Sequence, residues 1–158
     1  MQQQEAFGVC PATDAAVVVL DTNVVLDWLV FEDPAFRPLA RRLAAGAWTW
    51  HATPAMRAEL ADVLPRLRWR DNLIDCEHVL TFFDRRVRMI DSPVGPPPQA
   101  ALRTCRDPDD QKFLDLACHQ QARWLFSRDR ALLEMARAAR PLGVEVLSPA
   151  QWLRAYGT

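Results

Sequence analysis

Val17-Val18-Val19-Leu20 is an unbroken apolar run that ends on Asp21, and Val24, Val25 and Leu26 follow at helical spacing. The run predicts a buried, parallel strand and the spacing predicts a helix over 22–30, so Asp21 falls at a strand's carboxyl end. Asp33-Pro34 then starts a helix through Leu43 with Gly46 near its end, and 47–52 reads as extended. Thr53-Pro54 supplies an N-cap and a first-turn proline for a helix over 54–64. Pro65 and the basic segment Arg66-Leu67-Arg68-Trp69-Arg70 interrupt the pattern before a helix expected over 72–86 and a short strand over 87–90.

Pro93, Gly95 and Pro96-Pro97-Pro98 make 91–107 an exposed connection, an Ω-like loop or a lid. A helix over 109–121, a strand over 124–127, a helix over 129–139, a strand over 144–147 and a final helix over 149–155 complete the pattern. Strands alternating with helices predict a single-domain, three-layer α/β/α fold with a central parallel sheet. With 158 residues the chain can bury one core of that kind without staples.

The polar positions that break these rhythms carry the chemistry. On a helical wheel Asp110 shares the apolar stripe of Phe113, Leu114 and Ala117, where an unpaired carboxylate would be costly. It needs a helix terminus, a basic partner or a cation there. Glu59 edges the apolar face made by Met56, Leu60, Val63 and Leu64, and Asp62 faces away from it. Asp129 follows a strand as Asp21 does, and both positions also suit helix caps. Asp107 and Asp109 fit turn and cap positions as well. Taken together, Asp21, Asp110 and Asp129, with Glu59 from a fourth element, can converge at one sheet edge, where open α/β sheets bind ligands. Oxygen ligands without paired histidine or thiol select a hard cation, Mg²⁺ or Mn²⁺.

Composition narrows the classes. A formal net charge of -1 excludes a generally basic surface, so any nucleic-acid contact is local. Of the 19 basic residues only Lys112 is a lysine, a bias that base composition explains as readily as phosphate recognition. Cys10, Cys76, Cys105 and Cys118 have no paired spacing, and His51, His78 and His119 none that suggests ligation. Met1 to Thr13 has no basic region followed by an apolar one, and no apolar stretch spans a bilayer, so a cytoplasmic protein with no membrane contact is expected.

Four segments resemble the PIN-domain family, most closely a subgroup of toxin components of toxin-antitoxin systems. They are Val18 to Val24, Arg57-Ala58-Glu59-Leu60, Cys105 to Leu114 and Leu125 to Asp129. The resemblance covers about 17–152, giving a PIN-like nuclease domain over 17–155 after an N-terminal extension over 1–16. It implies a metal-dependent ribonuclease on a Rossmann-like sheet, with Asp21, Glu59, Asp110 and Asp129 as the acidic quartet that holds Mg²⁺ or Mn²⁺. Asn23 and Ser127 would be supporting polar groups, and Asp107 and Asp109 belong to the subgroup's own acidic motif. Gln111 departs from the pattern, standing where the subgroup often has a third consecutive Asp; a lower site charge, or a degenerate module that binds RNA or an antitoxin, is its implication. Water would attack an RNA phosphodiester in line, with Arg66, Arg68 and Arg70 on phosphates and Trp69 stacked on a base. An antitoxin protein and a homodimer are the partners the resemblance implies. An aspartyl-phosphate phosphatase, the rival chemistry at Asp21, would carry an Asp where the chain has Asn23.

Overall fold

The computed structural model describes residues 15–91 and 105–157. Most of the proline-rich connection and of the expected N-terminal extension therefore lies outside the described residues. The elements are β1 (Ala16–Leu20), α1 (Thr22–Leu29), α2 (Arg37–Ala44), β2 (Trp48–Ala52), α3 (Pro54–Val63), β3 (Arg68–Trp69), β4 (Asn72–Leu73), α4 (Cys76–Arg86), β5 (Arg88–Met89), α5 (Gln111–His119), β6 (Trp124–Phe126), α6 (Arg130–Leu133), α7 (Ala136–Ala139), β7 (Glu145–Leu147) and α8 (Pro149–Tyr156). Short 3₁₀ turns precede α2, follow α3 and α7, and lead into α5 at Pro108–Asp110.

Among the described residues the sheet has five strands in the order β5-β2-β1-β6-β7, all parallel. Helices cover it, as the strand–helix alternation requires, in a single-domain α/β/α fold. Val18, Val19 and Leu125, in the two central strands, are fully buried. Large aromatic rings pack the helices down: Trp50 meets Trp28 of α1 and Phe83 of α4, and Trp48 meets Trp124 and Trp152 of α8.

Most expected elements stand within a residue or two, because their caps were written in the sequence. Asp21, Thr53 and Ser148 each accept a backbone N–H from the first turn of the helix they precede. Two expectations need correction. The helix over 72–86 begins only at Cys76, capped by Asp75. Residues 68–73 form instead a two-stranded antiparallel hairpin, with Arg68 opposite Leu73 and Trp69 opposite Asn72. Its turn residues, Arg70 and Asp71, both have positive φ, 54° and 64°, the conformation of a two-residue turn whose twist suits a hairpin. The helix over 129–139 is broken into α6 and α7, because the Met135 N–H bonds Leu132 in a tighter 3₁₀ turn at 2.9 Å.

Candidate metal centre

The parallel register builds the site. Leu20 pairs with Phe126, so the next residues, Asp21 and Ser127, emerge side by side at the carboxyl ends of the two central strands. Asp21 is 3% exposed. Its Oδ1 accepts the Val24 N–H at 2.9 Å and its Oδ2 accepts the hydroxyl of the fully buried Ser127. Ser127 Oγ accepts the Asp129 N–H at 2.8 Å, and Asp129 Oδ1 accepts the Ala131 N–H at 2.8 Å. Ser127 thus couples the two strand-end carboxylates.

On the facing helix start, Asp107 Oδ1 accepts the Asp109 N–H at 3.0 Å and caps the 3₁₀ turn that delivers Asp110. One carboxylate oxygen from each of Asp107, Asp110 and Asp129 lies within 4.8 Å of the other two. Capping and convergence are compatible here. At Asp107 and Asp129 the cap engages one oxygen, and each carboxylate also lends an oxygen to the cluster. Asp110 makes no side-chain cap, and its Oδ2 is buried without a hydrogen-bond partner.

Electrostatics follow from this crowding. Burial, above all, raises Asp110 to about 7, assisted by the facing carboxyl of Asp129 and by the charges of Asp129, Asp107 and Asp21. Asp110 and Asp129 each present acceptors, so a bond between them requires a shared proton. Burial also raises Asp21 to about 6, against the bonds from Ser127 and Val24 that favour its ionised form. Three converging carboxylates with an orphaned buried oxygen suit a hard divalent cation, which supplies the missing positive charge and takes oxygen ligands.

The remaining predicted residues divide clearly. Glu59 is part-buried on α3, accepts the Thr22 hydroxyl, and forms an ion pair with Lys112 Nζ at 2.5 Å. Lys112 Nζ also donates to the Asp109 carbonyl at 2.6 Å. Glu59 is therefore tied through the Lys112 ammonium to the backbone of Asp109, the residue before Asp110. Asn23 and Asp109 are exposed. Gln111 is directed elsewhere: its Oε1 accepts the Cys105 N–H at 2.6 Å and its Nε2 donates to Asp115 at 2.9 Å. The expected loss of site charge at Gln111 is thus a change at a residue that ties down the loop before α5.

Arg66, Arg68, Trp69 and Arg70 lie on the hairpin and the turn before it. Arg66 pairs with Asp62 at 2.7 Å, and Trp69 meets Phe31 edge-on at 5.4 Å. Arg70 lies over Trp69 at 5.3 Å and reaches Glu32 at 4.0 Å. The hairpin thus leans on the residues that follow α1, whose opposite end Asp21 caps, about 12 Å away along an eight-residue helix. A cleft of about 490 Å³ lined by Trp28, Leu43, Trp48, Trp50 and Phe82 opens near the amino ends of β1 and β2, away from the acids.

Sequence reasoning passed over three side chains. Lys112 is one; its signal was that it is the chain's one lysine, two residues after Asp110. Arg128 and Asp27 are the others. Arg128 grips the buried Asp27 of α1 through Nε and, at 2.9 Å, through Nη2, holding the loop between Ser127 and Asp129 against α1. Nothing in their local spacing marks this pair, which joins positions 101 residues apart.

No curated protein matches the chain. A family model described as the PIN domain matches residues 17–131, from the first strand through the start of α6. That span includes all the converging carboxylates, and the family is generally one of metal-dependent nucleases. On the extent of that match, the chain belongs to the PIN-domain family.

Proposed function

We propose that the protein is a Mg²⁺- or Mn²⁺-dependent endoribonuclease, the toxin of a toxin-antitoxin pair, acting in the cytoplasm as a homodimer. The observation that carries the nuclease reading is the buried, unpartnered Oδ2 of Asp110 beside two further carboxylates. Asp107, Asp110 and Asp129 would hold the ion, with the Asp21 charge acting on the same group. A bound divalent ion supplies a lowered pKa for water and neutralises charge on a phosphoryl transition state. Asp21 fixes Ser127, which in turn holds the Asp129 backbone in place, and its oxygens keep lone pairs with which it would join the ligand set. Burial pushes the thiol of the neighbouring Cys105 up, away from the thiolate that covalent attack would need. Water attack in line fits these residues best. The toxin assignment, the antitoxin and the homodimer rest on the resemblance of the acidic segment around Asp107 to Gln111.

RNA would approach the carboxyl edge of the sheet, with Arg66, Arg68, Arg70 and Trp69 meeting the strand some 12 Å further along α1. Cleavage of end-labelled single-stranded RNAs in Mn²⁺ tests the reading. The wild-type chain is expected to cut, and Asp21→Asn and Asp110→Asn to cut at least about 100-fold more slowly. Equal rates for all three proteins would remove the acids from the chemistry. No cutting across a broad RNA panel, with no Mn²⁺ binding by calorimetry, would end the nuclease reading.

A further inference from the structure

We infer that the ammonium of Lys112 occupies the position of a second cation, so that the site takes one divalent ion where its acidic residues would otherwise accommodate two. The inference rests on the metal-site reading above and deepens it. Lys112 Nζ bonds Glu59 Oε1 at 2.5 Å and the Asp109 carbonyl at 2.6 Å, an oxygen set that a hard cation also prefers. The other oxygen of Glu59 is held by the Thr22 hydroxyl, next in sequence to Asp21. Glu59 is thereby linked through Lys112 to the residue before Asp110 with its charge already compensated, while Asp107, Asp110 and Asp129 converge with no ion pair among the described residues.

The local structure enforces this placement. Lys112 lies in the first turn of α5, immediately after the 3₁₀ turn that presents Asp110, so its stem starts at the rim of the site. Its NH₃⁺ reaches back one turn to the Asp109 carbonyl, which fixes the head near Glu59. Lysine is a compact point charge with three donors, and two of them have oxygen partners here. One donor remains for a phosphate oxygen of a bound strand. An ammonium cannot acidify water as a metal does, so the arrangement supplies a second positive charge without a second source of hydroxide.

Manganese stoichiometry, measured by calorimetry and by electron paramagnetic resonance on the full-length chain, tests this without reference to turnover. Wild type is expected to bind one Mn²⁺ with the spectrum of an isolated ion. Lys112→Met is expected to bind two, with the exchange-coupled spectrum of a neighbouring pair, and Lys112→Arg to return to one. The double variant Lys112→Met/Glu59→Gln, which removes the exposed oxygen charge again, is expected to bind one. One ion in Lys112→Met, with circular dichroism matching wild type, would overturn the inference, as would two ions in wild type. No ion in wild type would overturn the metal-site reading itself and the inference with it.

Discussion

At the scale of single residues, the site is a concentration of negative charge that folding creates and that a bound cation would relieve. Asp21 at about 6 and Asp110 at about 7 both lie above the ordinary value of 3.8. Between roughly pH 4 and 7 the folded chain therefore holds protons that the unfolded chain has released, and without metal its stability falls as pH rises through that window. Below it the penalty is absent; above it the penalty is complete. Asp110→Asn removes one of these charges, so without metal the variant is expected to be more stable than wild type at pH 8. The gain, screened because Asp110 is part-exposed, is on the order of 1–2 kcal/mol. That corresponds to a melting temperature higher by about 3–6 °C. At pH 4 the two proteins should melt together, and saturating Mn²⁺ should reverse the order at pH 8. A difference that does not change between pH 4 and pH 8 would contradict the charge argument. Asp21 and Asp110 were legible in the sequence because a strand end and an apolar helical stripe are patterns of near neighbours. The Glu59–Lys112 pair was not, since it joins α3 to α5 across 53 positions. In the sequence Asp107 shows only as a turn and supporting residue, because its convergence with Asp129 depends on how the turn before α5 meets the end of β6.

At the scale of elements, the loops at the carboxyl edge bear the converging carboxylates and are fastened by specific side-chain pairs. The Arg128–Asp27 pair fastens the loop that bears Asp129 to α1, and its two partners are unequal: Asp27 is buried, whereas Arg128 reaches solvent. Arg128→Ala leaves a carboxylate buried without a partner, while Asp27→Ala leaves a guanidinium that water can solvate. Urea titration should therefore find Arg128→Ala destabilised by about 2 kcal/mol more than Asp27→Ala. Equal losses would make the pair an ordinary surface contact. The β3–β4 hairpin stores strain, because Arg70 and Asp71 adopt left-handed backbone that costs residues with a Cβ roughly 1 kcal/mol. Asp71→Gly should relieve part of it and raise the melting temperature by about 2–4 °C. The helices were legible through Asp21, Thr53 and Ser148, whose caps act within three residues. The hairpin was not, because its turn lacks the Asn-Gly or Asp-Gly pair that announces this conformation. Its strands are only two residues each, too short for alternation to register.

At the scale of the whole molecule, the parallel sheet explains why the acids meet at all. Every strand of the five-stranded sheet points its carboxyl end to the same edge, so residues as far apart as Asp21 and Asp129 are delivered to one place. The fold class was legible because the alternation of apolar runs and helical stripes extends over most of the chain. Net charge is close to balanced, so an RNA strand would be drawn to a local combination of a bound cation, Lys112 and the hairpin arginines rather than to a basic face. The proposed chemistry requires a divalent cation held where Asp107, Asp110 and Asp129 converge. Anomalous diffraction from a Mn²⁺-soaked crystal at pH 8 measures that most directly. One peak within coordination distance of oxygens from all three carboxylates is the predicted result. A site there without a peak, or manganese only elsewhere on the chain, would contradict it.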